Sequence, residues 1–326
     1  MKSSRIIGTG SYAPEKILTN EDLSKLVDTS DEWITSRTGI KQRHIAREDE
    51  QTSDMAAEAS KKALEMAGLT ASDLDMIIVG TISGDMPMPA CAAFVQAKLG
   101  AKCPAFDISA ACAGSLFGLS IADQFIKTNA AKNILVLGVE LLSRILNWED
   151  RNTCVLFGDA AGAFILAPSE KESRGILSTH IHTDGDYTNI LTIPGGGSIS
   201  PMNEETLEKK LNFVHMNGRE VYKFAVRSLT SVIKEGLDAH GFEKEDVDHV
   251  VPHQANIRIV DAVLKNLKIP KEKTVLNIDR YGNTSSASVP VTLDEAVRSG
   301  RIKEGDLVAM MAIGAGMSWG SAMIRW

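Results

Sequence analysis

Cysteine is scarce in this chain, and the four present, Cys91, Cys103, Cys112 and Cys154, never fall into a Cys-x-x-Cys pair. That spacing offers neither a zinc site nor a redox dithiol, and no metal ligand set is expected. A disulfide framework is equally out of place, because 326 residues at 44% hydrophobic content can bury a core unaided. Long apolar runs are also missing. Nothing approaches the roughly 18 consecutive apolar residues of a membrane-spanning helix. The opening Met1-Lys-Ser-Ser-Arg-Ile-Ile-Gly8 lacks the apolar centre of a secretory signal, so the expectation is a cytoplasmic protein with no membrane association. Positive charge is in deficit, with a formal net charge of -7. General nucleic-acid binding is thereby excluded, although a local basic patch for an acidic partner is not.

What the chain does contain is a repeat of itself. Ala67-Gly-Leu-Thr-Ala-Ser-Asp-Leu-Asp-Met-Ile-Ile-Val79 aligns with His240-Gly-Phe-Glu-Lys-Glu-Asp-Val-Asp-His-Val-Val-Pro252, superposing Gly68, Asp73 and Asp75 on Gly241, Asp246 and Asp248. Each copy reads as a helix stopped by glycine, an acidic turn and a buried β-branched strand. At the same offset Ile134–Glu140 matches Leu307–Ile313, and Ala105–Ser109 falls near Leu276–Arg280. Strands apolar on both faces, alternating with helices, imply an α/β fold of mixed, largely parallel sheets covered by helices. Two similar halves are expected, residues 1–171 and 172–326.

The chemistry-bearing residues sit at corresponding corners of these halves. In Asp107-Ile-Ser-Ala-Ala-Cys112-Ala-Gly-Ser-Leu116 a thiol stands where an apolar strand ends and a helix of small residues begins. A free cysteine among alanines is commonly a small core residue. At a helix start, however, unpaired N–H groups and the positive end of the dipole favour thiolate, and the alanines leave room for a carbonyl substrate. Asn283, in Tyr281-Gly-Asn-Thr-Ser-Ser-Ala-Ser288, occupies a nearly equivalent corner, where it also has the makings of a helix cap. His253, in Val251-Pro-His-Gln-Ala-Asn256, follows the strand matching Met76–Gly80, and so lies at the carboxyl end of its sheet, where α/β proteins hold ligands. One pocket with Cys, His and Asn suits acyl transfer: a thioester on Cys112, with neutral donors from His253 and Asn283 on an oxygen gaining charge. Ile313-Gly-Ala-Gly316-Met-Ser-Trp-Gly320 adds a tight turn whose N–H groups complete an oxyanion hole or close an ordinary hairpin.

Taken together, Ala-Ala-Cys112-Ala-Gly, Pro-His253-Gln-Ala-Asn256, Gly-Asn283-Thr-Ser-Ser-Ala-Ser and Gly-Ala315-Gly-Met-Ser-Trp-Gly resemble the β-ketoacyl-[acyl-carrier-protein] synthase III family, with Ile6-Ile-Gly-Thr-Gly-Ser-Tyr-Ala-Pro14 and Asp31-Glu-Trp-Ile-Thr-Ser-Arg37 extending the likeness over nearly the whole chain. The resemblance implies a thiolase-like fold, with duplicated α/β halves of mixed five-stranded sheets in an α-β-α-β-α layering, and a homodimer. It implies an acyltransferase that needs no cofactor. An acyl-CoA, typically acetyl-CoA, loads Cys112, and malonyl-[acyl-carrier-protein] then loses carbon dioxide and attacks, releasing the 3-oxoacyl carrier protein that begins type II fatty acid synthesis. By the same resemblance His253 and Asn283 stabilise the enolate, and the N–H groups of Cys112 and Ala315 hold the thioester oxygen, provided that Ala315 avoids positive φ. Trp33 and Arg37 meet the adenine end of coenzyme A, and Asn256 lines the pantetheine tunnel. Arg219, Lys223, Gln254, Arg258 and Lys265 face the acidic carrier protein, while Met88 and Phe157 shape the acyl pocket, Met88 reaching into that of the partner subunit.

Met88 stands where many acetyl-preferring relatives have Phe, which suggests tolerance of longer primers. Residues 194–210 look longer than usual and are expected to reshape the tunnel rim. Two rival readings share these residues: a Cys-His-Asn condensing enzyme of polyketide or quinolone-type synthesis, and a noncatalytic acyl-CoA-binding protein. Gly8-Thr-Gly10-Ser-Tyr-Ala13 superficially fits a dinucleotide fingerprint, but Pro14 falls where the helix should run.

Overall fold

The computed structural model describes residues 3–170 and 174–326, so the boundary expected between residues 171 and 172 lies outside the described residues. The first sheet comprises β1 (Ser4–Tyr12), β2 (Met76–Gly80), β3 (Ala105–Ile108), β4 (Ile134–Glu140) and β5 (Ala160–Pro168), in spatial order β1-β5-β4-β2-β3. The three strands β4, β2 and β3 run parallel, with Met76 opposite Ile134 and Ile77 opposite Ala105, while β5 and β1 complete the sheet antiparallel. The second sheet comprises β6 (Gly175–Thr183), β7 (His249–Pro252), β8 (Leu307–Gly314) and β9 (Ser318–Arg325), in order β7-β8-β9-β6. Only β7 and β8 are parallel. Beyond β7 a single parallel bridge joins Val250 to Thr274, in the place β3 holds in the first sheet. The fifth strand expected around Leu276–Arg280 is thus reduced to one contact, and the chain turns at once into the helical turn Ile278–Tyr281.

The repeat seen in the sequence has a structural cause. In both copies the repeated aspartate closes a turn, Thr70 N–H donating to Asp73 Oδ2 at 2.8 Å and Glu243 N–H to Asp246 Oδ2 at 2.8 Å. The next repeated aspartate ties the start of one strand to its parallel neighbour. Asp75 accepts from the Asn133 N–H at 3.0 Å, and Asp248 from the Leu307 N–H at 2.8 Å. Carboxylates at these places satisfy N–H groups that the sheet leaves unpaired.

Helices cover both outer faces, α1 (Asp31–Thr38) lying to one side, α2 (Thr52–Ala67) and α3 (Cys91–Leu99) packing on the first sheet. Between the sheets runs α4 (Gly114–Lys127). On the far face of the second sheet lie α5 (Gly218–Asp238) and α6 (Ile257–Leu267), and α7 (Ser288–Arg298) returns to the middle layer beside α4. The central core joins Leu116 and Leu119 of α4 and Leu293 of α7 to Ile78 and Val136 of one sheet and Val308 and Met310 of the other. Each such fully buried side chain is worth roughly 1.5–3 kcal/mol relative to exposure. Sandwiching two helices between two sheets forces the strands to be apolar on both faces, the pattern read from the sequence. Segment Gly8–Ala13 runs within and just past β1 and so forms no nucleotide loop. Among the described residues no helix is long and apolar enough to cross a membrane.

Candidate active site

α4 and α7 each begin at a strained corner. The 3-10 turn Ala111–Ala113 precedes α4 and holds Ala111 at φ 45°, and Ser285–Ala287 precedes α7 and holds Ser285 at φ 50°. Non-glycine residues at positive φ cost of order 1–3 kcal/mol each and persist only where the surroundings enforce them. Matching the corners through these residues makes Ser286, rather than Asn283, the counterpart of Cys112. Asn283 stands three residues upstream, yet the two corners still meet at one place, as the pseudo-symmetry required.

Two cavities meet at the thiol. One, of about 640 Å³, is lined by Cys112, His253 and Asn283, with Asn256 along it and Trp33, Arg37, Arg219 and Arg258 toward its outer end. The other, of about 460 Å³, is lined by Cys112, Ser285, Ala315 and an apolar set that includes Leu142, Phe157, Leu191, Ile193 and Val214. Phe157 borders both. The apolar residues from the 190s and Val214 escaped the sequence reading, because they lie in or beside the paired two-residue strands Leu191–Thr192 and His215–Met216, which are too short to show a periodic pattern.

Cys112 is 8% exposed. Burial pushes its thiol up to about 12, the nearby Glu140 carboxylate adds to the rise, and a hydrogen bond with Ser285 opposes it. The expectation of a resting thiolate is therefore corrected. The helix start is where the sequence placed it, but loss of water around the sulfur outweighs the local donors. His253 is also buried, held by its own N–H on Met311 O at 2.7 Å. Its Nδ1 is enclosed without a partner, leaving the Nε2 edge toward the cavity that the ring lines. Burial lowers its pKa to about 3, so the imidazole is neutral.

Asn283 caps no helix. Its main chain is clasped by Leu156 O at 2.8 Å and the Gly158 N–H at 3.0 Å, and its Oδ1 accepts the Ser285 N–H at 2.8 Å. With the oxygen so engaged, the carboxamide NH₂ is the end available to the cavity. The cap is instead Asn256, whose side chain accepts from the Arg258 N–H at 2.8 Å and starts α6. Ala315 lines the second cavity beside Cys112, and the left-handed conformation of its turn falls on Gly316, at φ 119°. The Gly-Ala-Gly sequence thus places alanine where the backbone tolerates it. Gly314 is needed for close approach, since a Cβ there would lie 2.4 Å from the Cys112 nitrogen.

At the outer end Trp33 and Arg37 lie on α1, with the guanidinium 4.6 Å from the ring centroid. Arg151, absent from the sequence reading, approaches the same ring at 5.2 Å and holds Asp28. Arg219 and Lys223 on α5 and Arg258 and Lys265 on α6 are exposed. Gln254 is not. It is 1% exposed, donates to Pro252 O and Val275 O at 3.0 and 3.2 Å, and accepts from the Asn277 N–H at 3.3 Å. Its placement among the carrier-protein contacts is overturned: it braces the loop behind His253.

Met88 lines neither cavity in this chain and is 84% exposed, between β2 and α3. Residues 194–210 line neither cavity, which corrects the expectation of a reshaped rim. The segment folds outward, with Gly195 N–H on Leu211 O at 2.7 Å and Lys210 paired to Glu149. The sequence reading also missed Glu140. This buried carboxyl ends β4, and its only signal was an acid closing the apolar run Ile134-Leu-Val-Leu-Gly-Val-Glu140. Burial raises its pKa to about 7 against the pull of surrounding hydroxyl and N–H donors.

Comparison with known proteins converges on one family. The family model described as 3-oxoacyl-[acyl-carrier-protein] synthase III matches residues 106–185, and the model of its C-terminal part matches residues 237–326. A β-ketoacyl-[acyl-carrier-protein] synthase III of Caldanaerobacter subterraneus subsp. tengcongensis is 54% identical, over 98% of this chain and 97% of its own. The crystal structure of 3-oxoacyl-[acyl-carrier-protein] synthase III from Aquifex aeolicus VF5 is similar with a TM-score of 0.92 and 48% identity, covering 99% of this chain and 100% of that one. The priming β-ketosynthase of the R1128 polyketide biosynthetic pathway follows at a TM-score of 0.91 and 33% identity, covering 99% and 96%.

Proposed function

The chain belongs to the 3-oxoacyl-[acyl-carrier-protein] synthase III family, and from this premise we propose that its paired cavities carry out the decarboxylative condensation of an acyl-CoA, typically acetyl-CoA, with malonyl-[acyl-carrier-protein]. The products are a 3-oxoacyl carrier protein, carbon dioxide and coenzyme A, and the step initiates type II fatty acid synthesis. The observation that carries this reading is that Cys112, His253 and Asn283, drawn from three separate segments, line one cavity whose outer end is Trp33 and Arg37.

In the first half-reaction the Cys112 sulfur attacks the acyl-CoA carbonyl while the N–H groups of Cys112 and Ala315 hold the oxygen. The thiol proton leaves with the coenzyme A sulfur, so the high resting pKa of Cys112 needs no permanent base. The acyl chain enters the apolar second cavity, past Phe157. In the second half-reaction the malonyl thioester takes the place of coenzyme A. Carbon dioxide departs, and the electron pair it leaves makes an enolate, whose oxygen accepts from His253 Nε2–H and the Asn283 NH₂. Neutral donors suit this step, because an imidazolium would surrender its proton to the enolate. The carbon then attacks the acyl-cysteine, and the expelled sulfur, in a site that favours thiol, takes up a proton from solvent, the one proton that the overall condensation consumes.

Trp33 and Arg37 serve the adenine end of coenzyme A and Asn256 the pantetheine arm. The exposed Arg219, Lys223, Arg258 and Lys265 supply a local positive field on a negative molecule, which suits an acidic carrier protein. A homodimer is supported by Ile82, Met86 and Met88, all apolar and exposed along one loop. The two halves, 1–171 and 172–326, act as one unit, since each contributes to the site.

Incubation with radiolabelled acetyl-CoA tests the reading. Label should become protein-bound, Cys112→Ser should abolish it, and His253→Ala should take up label without condensing it with malonyl carrier protein. Absence of bound label in the parent enzyme refutes the proposal.

A further inference from the structure

The Glu140 side chain is fully buried at the end of β4, and the polar atoms around it all donate. Oε2 accepts from Ser83 Oγ at 2.5 Å, the Ile82 N–H at 3.2 Å and Thr81 Oγ1 at 3.3 Å. Oε1 accepts from Ser285 Oγ at 3.1 Å. Ser285 is itself the strained residue, at φ 50° and 1% exposed, and its N–H donates to Asn283 Oδ1. A continuous path therefore runs from the Glu140 carboxylate through Ser285 to the Asn283 carboxamide.

Resting on the reading of Asn283 as an enolate donor, we infer that Glu140 is a positioning residue for condensation, anchoring Ser285 so that Asn283 turns its NH₂, and not its oxygen, to the substrate. A carboxamide can flip by half a turn with little change in shape. Flipped, Asn283 would offer an acceptor to an enolate oxygen, and stabilisation would become repulsion. The Ser285 N–H prevents this only while Ser285 stays at its unfavourable φ, and the hydroxyl bond to Glu140 ties it there. Ser83 also accepts the Leu141 N–H at 2.9 Å, so the carboxylate is fixed from the loop after β2 as well.

The test uses the full-length enzyme and separates the two half-reactions. Glu140→Gln, Ser285→Ala, Asn283→Ala and the Glu140→Gln/Asn283→Ala pair are compared for acetyl transfer to Cys112, for kcat and KM with malonyl carrier protein, and for melting temperature. Glu140→Gln should load acetyl at the parental rate or faster, because a negative charge near the thiol is removed. It should condense about 10–100-fold more slowly at unchanged KM, the usual scale for loss of a supporting partner. Ser285→Ala should slow condensation by a similar factor, which keeps the test open if Glu140→Gln folds poorly; its loading rate is left out of the comparison, because the Ser285 hydroxyl also hydrogen-bonds the Cys112 thiol, and parental condensation in it counts against the inference. In the Asn283→Ala background Glu140→Gln should add no further loss, since there is no carboxamide left to orient. Parental condensation in Glu140→Gln, multiplying losses in the pair, or loading and condensation falling together in Glu140→Gln overturns the inference. Parental condensation in Asn283→Ala instead removes the Asn283 reading on which it rests.

Discussion

Replacing His253 by Ala should make the protein respond differently to acid. In the folded chain the ring is enclosed, Nδ1 has no partner, and burial lowers the pKa to about 3. Unfolded, the same ring titrates near 6.5. As pH falls through 6.5 the unfolded chain binds a proton that the folded chain refuses, so stability is lost, and the loss continues until the folded pKa is passed. At about pH 5 the linkage amounts to about 2 kcal/mol, and at about pH 8 to almost nothing. His253→Ala leaves a void that costs stability at every pH, but it removes this slope. Urea unfolding of both proteins at those two pH values and one protomer concentration should therefore show their stability difference shrinking by about 2 kcal/mol on acidification. All other titrating groups cancel in the comparison. Parallel stability curves would refute the reasoning, because they would mean that the ring titrates in the folded site as it does in the unfolded chain and that burial does not hold it neutral.

Two further outcomes follow from the same geometry. Gly314→Ala puts a Cβ 2.4 Å from the Cys112 nitrogen and 2.9 Å from the Ala111 Cβ; it should lower stability by about 1–3 kcal/mol and depress acetyl loading of Cys112 in protein that remains folded, and normal loading would contradict the backbone contact. The second cavity, about 460 Å³ and mostly apolar, is far larger than the roughly 30 Å³ share of one liquid water. Butyryl-CoA should therefore compete with acetyl-CoA at equal concentration, and a strict acetyl preference in product masses would reject the wider pocket.

Much of this protein was legible before any coordinates. Apolar runs such as Met76–Gly80 and Ile134–Glu140 announced strands buried on both faces, and the repeat of Gly68, Asp73 and Asp75 announced the duplication, because these features act locally: glycine ends a helix, and aspartate caps the next turn. Cys112, His253 and Asn283 were legible for a related reason. Each lies at a strand end or helix start, and pseudo-symmetry brings such points together.

Other features are decided by what lies close in space but far along the chain. Gln254 carries the look of a carrier-protein contact, yet its amide is spent on Pro252, Val275 and Asn277. The thiol that helix position alone would activate is pushed toward its protonated form by burial, and the carboxyl of Glu140 is hydrogen-bonded into the site through Ser285, 145 residues away. Segment order, turn chemistry and the reactive side chains are properties of neighbouring residues, which a sequence states directly. Burial, ionisation and the direction in which an amide points depend on every wall of a cavity at once, and only the packed chain sets them.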